Sequence, residues 1–215
     1  MTWDDALNES DVLGIRLEPS AGWCDLLLHV LALPETGPID PDARRILRLT
    51  SPAQLRILLR GESGHGPVIS LDGLDMVEAF FASLSWSGSM RGWKFLDDPS
   101  LTHGWPAATS LTVDLRSSTG SHSLYWFNEC GRDEGEAKVA YCIEGTVTFE
   151  SLEVLRADGT VQPLHEFVSE GRRFWRALHA GDDRVSVGAQ QAAQTGTPSW
   201  RRNVRNWGSG DARTS

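Results

Sequence analysis

Ile15-Arg-Leu-Glu-Pro-Ser-Ala-Gly-Trp-Cys-Asp-Leu-Leu-Leu28 can be set over Val113-Asp-Leu-Arg-Ser-Ser-Thr-Gly-Ser-His-Ser-Leu-Tyr-Trp126. Leu17, Ser20, Gly22 and Leu26 then fall on Leu115, Ser118, Gly120 and Leu124. With an offset shorter by one, Ile46, Leu55, Ile57 and Leu58 fall on Ile143, Leu152, Val154 and Leu155. Further on, Gly66, Val68, Leu71, Leu74 and Phe81 fall on Gly159, Val161, Leu164, Phe167 and Phe174. The order is kept, and the matches are turn glycines and core-type apolar residues. The stretch from about 12 to 84 therefore reads as loosely repeated at about 110–178, one supersecondary unit used twice.

Each copy resolves into short strands and one helix. Residues 12–18 alternate Leu13, Ile15 and Leu17 and predict a strand. After the turn at 19–22, residues 23–33 predict a longer, more buried strand, and the prolines of 34–41 predict a surface loop. Strands follow at 45–49 and 54–60, the latter alternating Leu55, Ile57 and Leu59 with Arg56, Leu58 and Arg60. Leu74, Val77, Phe81 and Leu84 have the spacing of a helix with one buried stripe. In the second copy a hairpin is expected from 110–116 and 121–128, then a polar loop at 129–136. Strands at 139–143 and 146–155 turn about Gly145, and a tight turn follows at 157–159. A helix over 164–178 puts Phe167, Phe174, Trp175 and Leu178 on its apolar side, with a possible break at Gly171.

The expected class is α+β: two loosely repeated units of about four antiparallel strands plus one helix, packed pseudo-symmetrically. Residues 1–109 form the first unit, including a tryptophan-rich connector at 85–109. Residues 110–181 form the second, and 182–215 are expected to be a disordered tail. One continuous sheet and two facing sheets both fit.

Bulk properties exclude more than they identify. The 215 residues carry a net charge of −9, 40 % apolar residues and three cysteines. An odd cysteine number without metal-ligand spacing argues against a disulfide framework and for reduced thiols. The acidic start lacks a signal-peptide pattern, and no apolar run reaches a membrane span. A soluble cytoplasmic protein is expected. Residues 180–215 carry a net +2, which leaves −11 on residues 1–179. Such a body repels phosphate backbones and attracts basic partners, although acidity also simply keeps proteins soluble.

Four places invite chemistry. The connector brings Arg91, Trp93, Phe95, Asp97, Asp98, His103 and Trp105 together, aromatic faces for stacking beside hydrogen-bonding groups. The plainer alternative is that its aromatics plug a gap and that 97–99 is a turn. Asp133, Glu134 and Glu136 crowd one predicted loop, which suits an acidic contact for a basic protein better than a calcium site. Cys130 and His122 lie too far apart on one strand to pair, and Cys142 is expected to face Cys130 as a second buried thiol. The tail motif Trp200-Arg-Arg-Asn-Val-Arg-Asn-Trp207 is basic and flanked by aromatics, fit for nucleic acid, an anionic membrane, or the acidic body itself.

No zinc, phosphate-loop or nucleophile-elbow pattern is present. The sequence predicts no catalytic residue, metal or cofactor. The leading expectation is a non-catalytic protein-binding module with an acidic face. The alternatives are small-ligand or carbohydrate binding at the connector, and an enzyme whose site is assembled by the fold, for instance from Asp97, His103 and His122.

Overall fold

Period-two alternation gives each strand one apolar side, and a sheet of such strands must cover that side. Here two antiparallel sheets cover each other. The computed structural model describes residues 3–40, 42–87, 96–115, 120–135 and 137–190. In chain order the elements are α1 (Asp4–Leu7), β1 (Asp11–Glu18), β2 (Trp23–His29), β3 (Arg44–Thr50), β4 (Gln54–Gly61), α2 (Leu74–Ala82) and β5 (Trp86–Ser87). They continue with β6 (Leu111–Asp114), β7 (His122–Glu134), β8 (Ala137–Phe149), β9 (Ser151–Arg156), β10 (Val161–Gln162) and α3 (Leu164–Ala180). The first sheet runs β1-β2-β3-β9-β10 and the second β5-β7-β8-β4-β6. The class is α+β.

Two strands change sheets. β4 follows β3 but pairs with β8, and β9 follows β8 but pairs with β3. The crossings are tied together: Glu150 N–H donates to the Thr50 carbonyl at 3.1 Å, and Ala53 N–H to that of Thr148 at 2.8 Å. Each sheet thus takes strands from both stretches of the sequence. β1 lies beside β2 at one edge of the first sheet, and β6 lies beside β4 at an edge of the second.

Between the sheets lie Leu26, Leu28, Leu47, Leu49 and Val154 from one side and Leu55, Ile57, Leu124, Trp126, Ile143 and Val147 from the other. α2 adds Val77, Phe80 and Phe81 beside β1, and α3 adds Phe167 and Val168. The edge of β1 is held by Asn128 of β7, fully buried, whose amide faces both the N–H and the carbonyl of Val12 at 3.4 Å. It occupies the backbone groups that a further strand would pair. Arg45, 1 % exposed, ties β3 to β10 and α3. Its Nε donates to Gln162 at 2.6 Å, its Nη2 lies 3.3 Å from Glu170, and Gln162 donates to the same carboxylate at 2.8 Å.

Several sequence expectations are corrected. β6 does not form a hairpin with β7; Leu111 and Val113 extend the core beside Ile57 and Leu55 on β4 instead. The polar stretch at 129–136 is no loop, because β7 and β8 continue as a paired arm to Glu134 and Ala137, turning at Gly135 (φ +64°). Arg132 reaches inward there, its guanidinium 5.3 Å from the Phe80 and Tyr141 rings, so the charged residue is accommodated by aromatic faces. Gly145 is no turn either. It lies within β8 under the Trp126 indole, where a Cβ would come within 2.1 Å of the ring. Cys130 pairs with Tyr141 and Cys142 with Glu129, so the two thiols are on opposite faces and do not meet. α3 passes unbroken through Gly171, the residue on which α1 rests; a Cβ there would stand 2.6 Å from the Ala6 Cα. Residues 183–190 pack on the body: Val185 is buried with Leu33, Phe174 and Ala177, and Gln190 Nε2 donates to the Val185 carbonyl. Residues 191–215, with the Trp200–Trp207 motif, lie outside the described residues.

Candidate functional site

The α1–α3 junction holds a concave site that the sequence conceals, because its walls are some 170 positions apart. α1 is four residues long and seats Ala6 and Leu7 in the core, leaving Asp4, Asp5, Asn8 and Glu9 toward the surface. α3 buries Phe174 and Ala177, which places Trp175 and His179 along its flank. These six residues line a cavity of about 480 Å³, within the usual range for ligand pockets. Of its three carboxylates, Asp5 is bonded to Arg172 (3.0 and 3.2 Å). Trp175 stands edge-on to Phe174 at 5.5 Å, and the His179 ring follows at 6.5 Å. The Trp175 Nε1 is buried and makes no hydrogen bond among the described residues.

The connector residues singled out from the sequence do not assemble into one site. Arg91, Trp93 and Phe95 lie outside the described residues. Asp97 has a left-handed backbone (φ +57°) and joins β7 through three bonds. Its N–H donates to the Ser123 carbonyl at 2.8 Å, the Ser123 N–H donates to its Oδ1 at 2.7 Å, and the His122 Nδ1 lies 2.9 Å from its Oδ2. Burial acts to raise the Asp97 pKa, but the bonds from His122 and Ser123 outweigh it and hold the carboxyl below its ordinary value. Asp98 caps the turn at Pro99–Thr102 by accepting from the Ser100 N–H at 3.0 Å. His103 ends that turn, exposed, and among the described residues it makes no side-chain hydrogen bond to Asp97 or His122.

Trp105 lies half-buried on the outer side of the second sheet. Its Nε1 donates to Glu144 at 3.0 Å, Tyr125 donates to the same oxygen at 2.9 Å, and the Arg56 guanidinium stands 5.1 Å from the indole centre. Burial, with the Glu144 carboxylate adding to it, drives the Tyr125 hydroxyl well above its usual range, so it stays a donor. The described connector is a strap fastened at Asp97 and Trp105.

The acidic hairpin tip is remote from Asp97. Asp133 is exposed, pairs across the arm with Lys138, and donates its N–H to Ser85 Oγ at 3.0 Å. It sits ten positions along β7 from Ser123, roughly 33 Å at the usual strand rise. Glu134 pairs with Ala137 through its backbone, while its side chain and Glu136 lie outside the described residues.

The thiols are chemically quiet. Burial pushes Cys130 and Cys142 up to about 12, with the charge of Cys142 adding at Cys130 and those of Glu144 and Glu129 adding at Cys142, and burial raises Cys24. Among the described residues no group of three His, Cys, Asp or Glu is placed to hold a metal ion. No helix among them is long and apolar enough to cross a membrane. The acidic start of the chain and Trp175 were both visible in the sequence; only the seating of Ala6 on Gly171 brings them together. No protein-family model, curated protein or solved structure matches this chain.

Proposed function

We propose that the chain is a non-catalytic binding module that receives a cationic group of a basic protein partner in the α1–α3 pocket. The supporting observation is the cavity of about 480 Å³ walled by Asp4, Asp5 and Glu9 on one side and the Trp175 indole on the other. Carboxylates attract an ammonium or guanidinium over a distance, and an indole face adds about 0.5–2 kcal/mol once the cation is desolvated. Arg172 is bonded to Asp5, and Asp4 and Glu9 stand beside it in the pocket wall. The acidity of the body, −11 over residues 1–179, would steer such a partner in.

The test is calorimetric titration with a lysine-rich peptide and a glutamate-rich peptide of equal length, at low and moderate salt. The lysine peptide is expected to bind, the glutamate peptide not. Asp4→Asn with Glu9→Gln should weaken binding about tenfold, near 1.4 kcal/mol, and Trp175→Leu comparably. Asp133→Lys at the hairpin tip should leave it unchanged. Undiminished binding by the Asp4/Glu9 variant would exclude the pocket, and a response to Asp133→Lys would move the contact to the arm.

A second reading is supported by the Asp97–His122 contact: an imidazole oriented through Nδ1 can move a proton at Nε2. Under that reading a hydrolytic activity found for this chain falls with His122→Gln. An activity indifferent to that substitution excludes it.

A further inference from the structure

The pocket between α1 and α3 holds one group of a kind that changes charge near neutrality. Residues four apart lie on one side of a helix, so Trp175 and His179 are adjacent steps along α3, their rings 6.5 Å apart. His179 is exposed, and it shares the cavity wall with Asp4, Asp5 and Glu9. Imidazole is the side chain whose ordinary titration falls between pH 5 and 8. Carboxylates ordinarily change charge below that interval, and lysine and arginine above it. Of the side-chain types lining the cavity, the imidazole is the one that switches there.

Charged groups approach His179 from each neighbouring element. From α1 and the turn after it come Asp4, Asp5 and Glu9, with Asp5 held by Arg172 at 3.0 Å. On α3 itself Arg176 lies one turn back and Arg172 two turns back. Beyond the helix end Asp182 is bound by Arg184 at 2.8 Å, and Asp183 lies between them in the chain. A rounded cavity of about 480 Å³ is roughly 10 Å wide, about one Debye length at 0.1 M salt. A positive charge on His179 is therefore felt by the carboxylates across the cavity and by any cation held between them.

Building on the cation-binding reading of this pocket, we propose that protonation of His179 releases the bound cationic group, so that the site holds its partner at neutral pH and frees it on acidification. An imidazolium in the wall satisfies the carboxylates in place of the ligand and repels the ligand's own charge. Linkage fixes the sign: if a proton on His179 weakens binding, binding must expel that proton. Affinity is full above the imidazole range and falls as pH drops through it.

The test is calorimetric titration of the full chain with the lysine-rich peptide at pH 7.5 and 5.5, with His179→Gln and His179→Arg alongside. The parent's Kd should rise about five- to tenfold at pH 5.5, the size of a unit-charge repulsion across a partly screened gap. His179→Gln should lose most of that dependence; the other five histidines, common to both proteins, set the remaining background. His179→Arg, positive at both pH values, should bind about five- to tenfold more weakly than the parent at pH 7.5 and lose little more at 5.5. At pH 6.5, titrations in two buffers of unlike ionisation enthalpy should show a fraction of a proton released on binding by the parent and none by His179→Gln. A parent that does not bind at pH 7.5 removes the pocket reading itself, and the switch with it. Binding at pH 7.5 with equal pH slopes in parent and His179→Gln, or undiminished binding by His179→Arg, overturns the switch and leaves the pocket standing.

Discussion

Arg45→Met separates the energetics of a buried ion pair from those of the packing around it. Arg45 is 1 % exposed, and the bound Glu170 and Gln162 are 6 % and 1 % exposed, so this cluster is largely shut off from water, whereas Asp40, 3.6 Å from the Arg45 Nη2, is part-exposed. The substitution removes the Nε bond to Gln162, the Nη2 contact with Glu170 at 3.3 Å, and the Nη1 bonds to the Asp42 and Arg44 carbonyls. What costs most is the carboxylate left behind: breaking one side of such a pair costs about 3–5 kcal/mol. At about 2–4 °C per kcal/mol for a domain this size, Tm should drop by about 6–20 °C. Adding Glu170→Leu removes the stranded charge, yet leaves Gln162 with its amide unpartnered, a penalty of about 1–3 kcal/mol. The double variant should therefore sit below the parent and above Arg45→Met. Urea unfolding with unchanged m-values gives the ordering. If the double variant is no more stable than Arg45→Met, the cost came from lost packing or lost backbone bonds, and the electrostatic account is refuted.

Three further outcomes are expected. Gly171→Ala should destabilise by about 1–3 kcal/mol through overpacking, because the new Cβ meets Ala6 at 2.6 Å, although helix propensity alone predicts a gain; a rise in Tm would show that α1 does not rest on this residue. Asp97 contributes stability that is present above the ordinary aspartate value and lost as pH falls through its lowered folded value. Its side chain is 46 % exposed, so the gap between parent and Asp97→Asn should be under about 1 kcal/mol at pH 7 and close toward pH 3; asparagine tolerates the left-handed backbone, and a gap that widens in acid would contradict the stated cause. Cys130 and Cys142, raised to about 12, should react with a disulfide reagent at pH 8 only on unfolding, and prompt native labelling would place either thiol at the surface.

Local chemistry was legible wherever it dominates. The alternation of Leu55, Ile57 and Leu59 placed β4, the spacing of Val77 and Phe81 placed α2, and the turn at 157–159 marked the end of β9, because these depend on neighbours a few residues away. The sequence also put Asp97 and His122 on one short list, and the fold joins them at 2.9 Å. Pairing was not legible. β6 and β7 read as a hairpin because they are adjacent, but Leu111 and Val113 bury more effectively beside β4. Gly145 read as a turn, since nothing local announces that Trp126 needs a residue without a Cβ beneath it. The pocket failed for the same reason: Asp4 and Trp175 become neighbours only when Ala6 packs on Gly171. Periodicity sets which side of an element is apolar; which elements share that side is decided by long-range packing, where strand crossings and close glycine contacts enter only once the chain is folded.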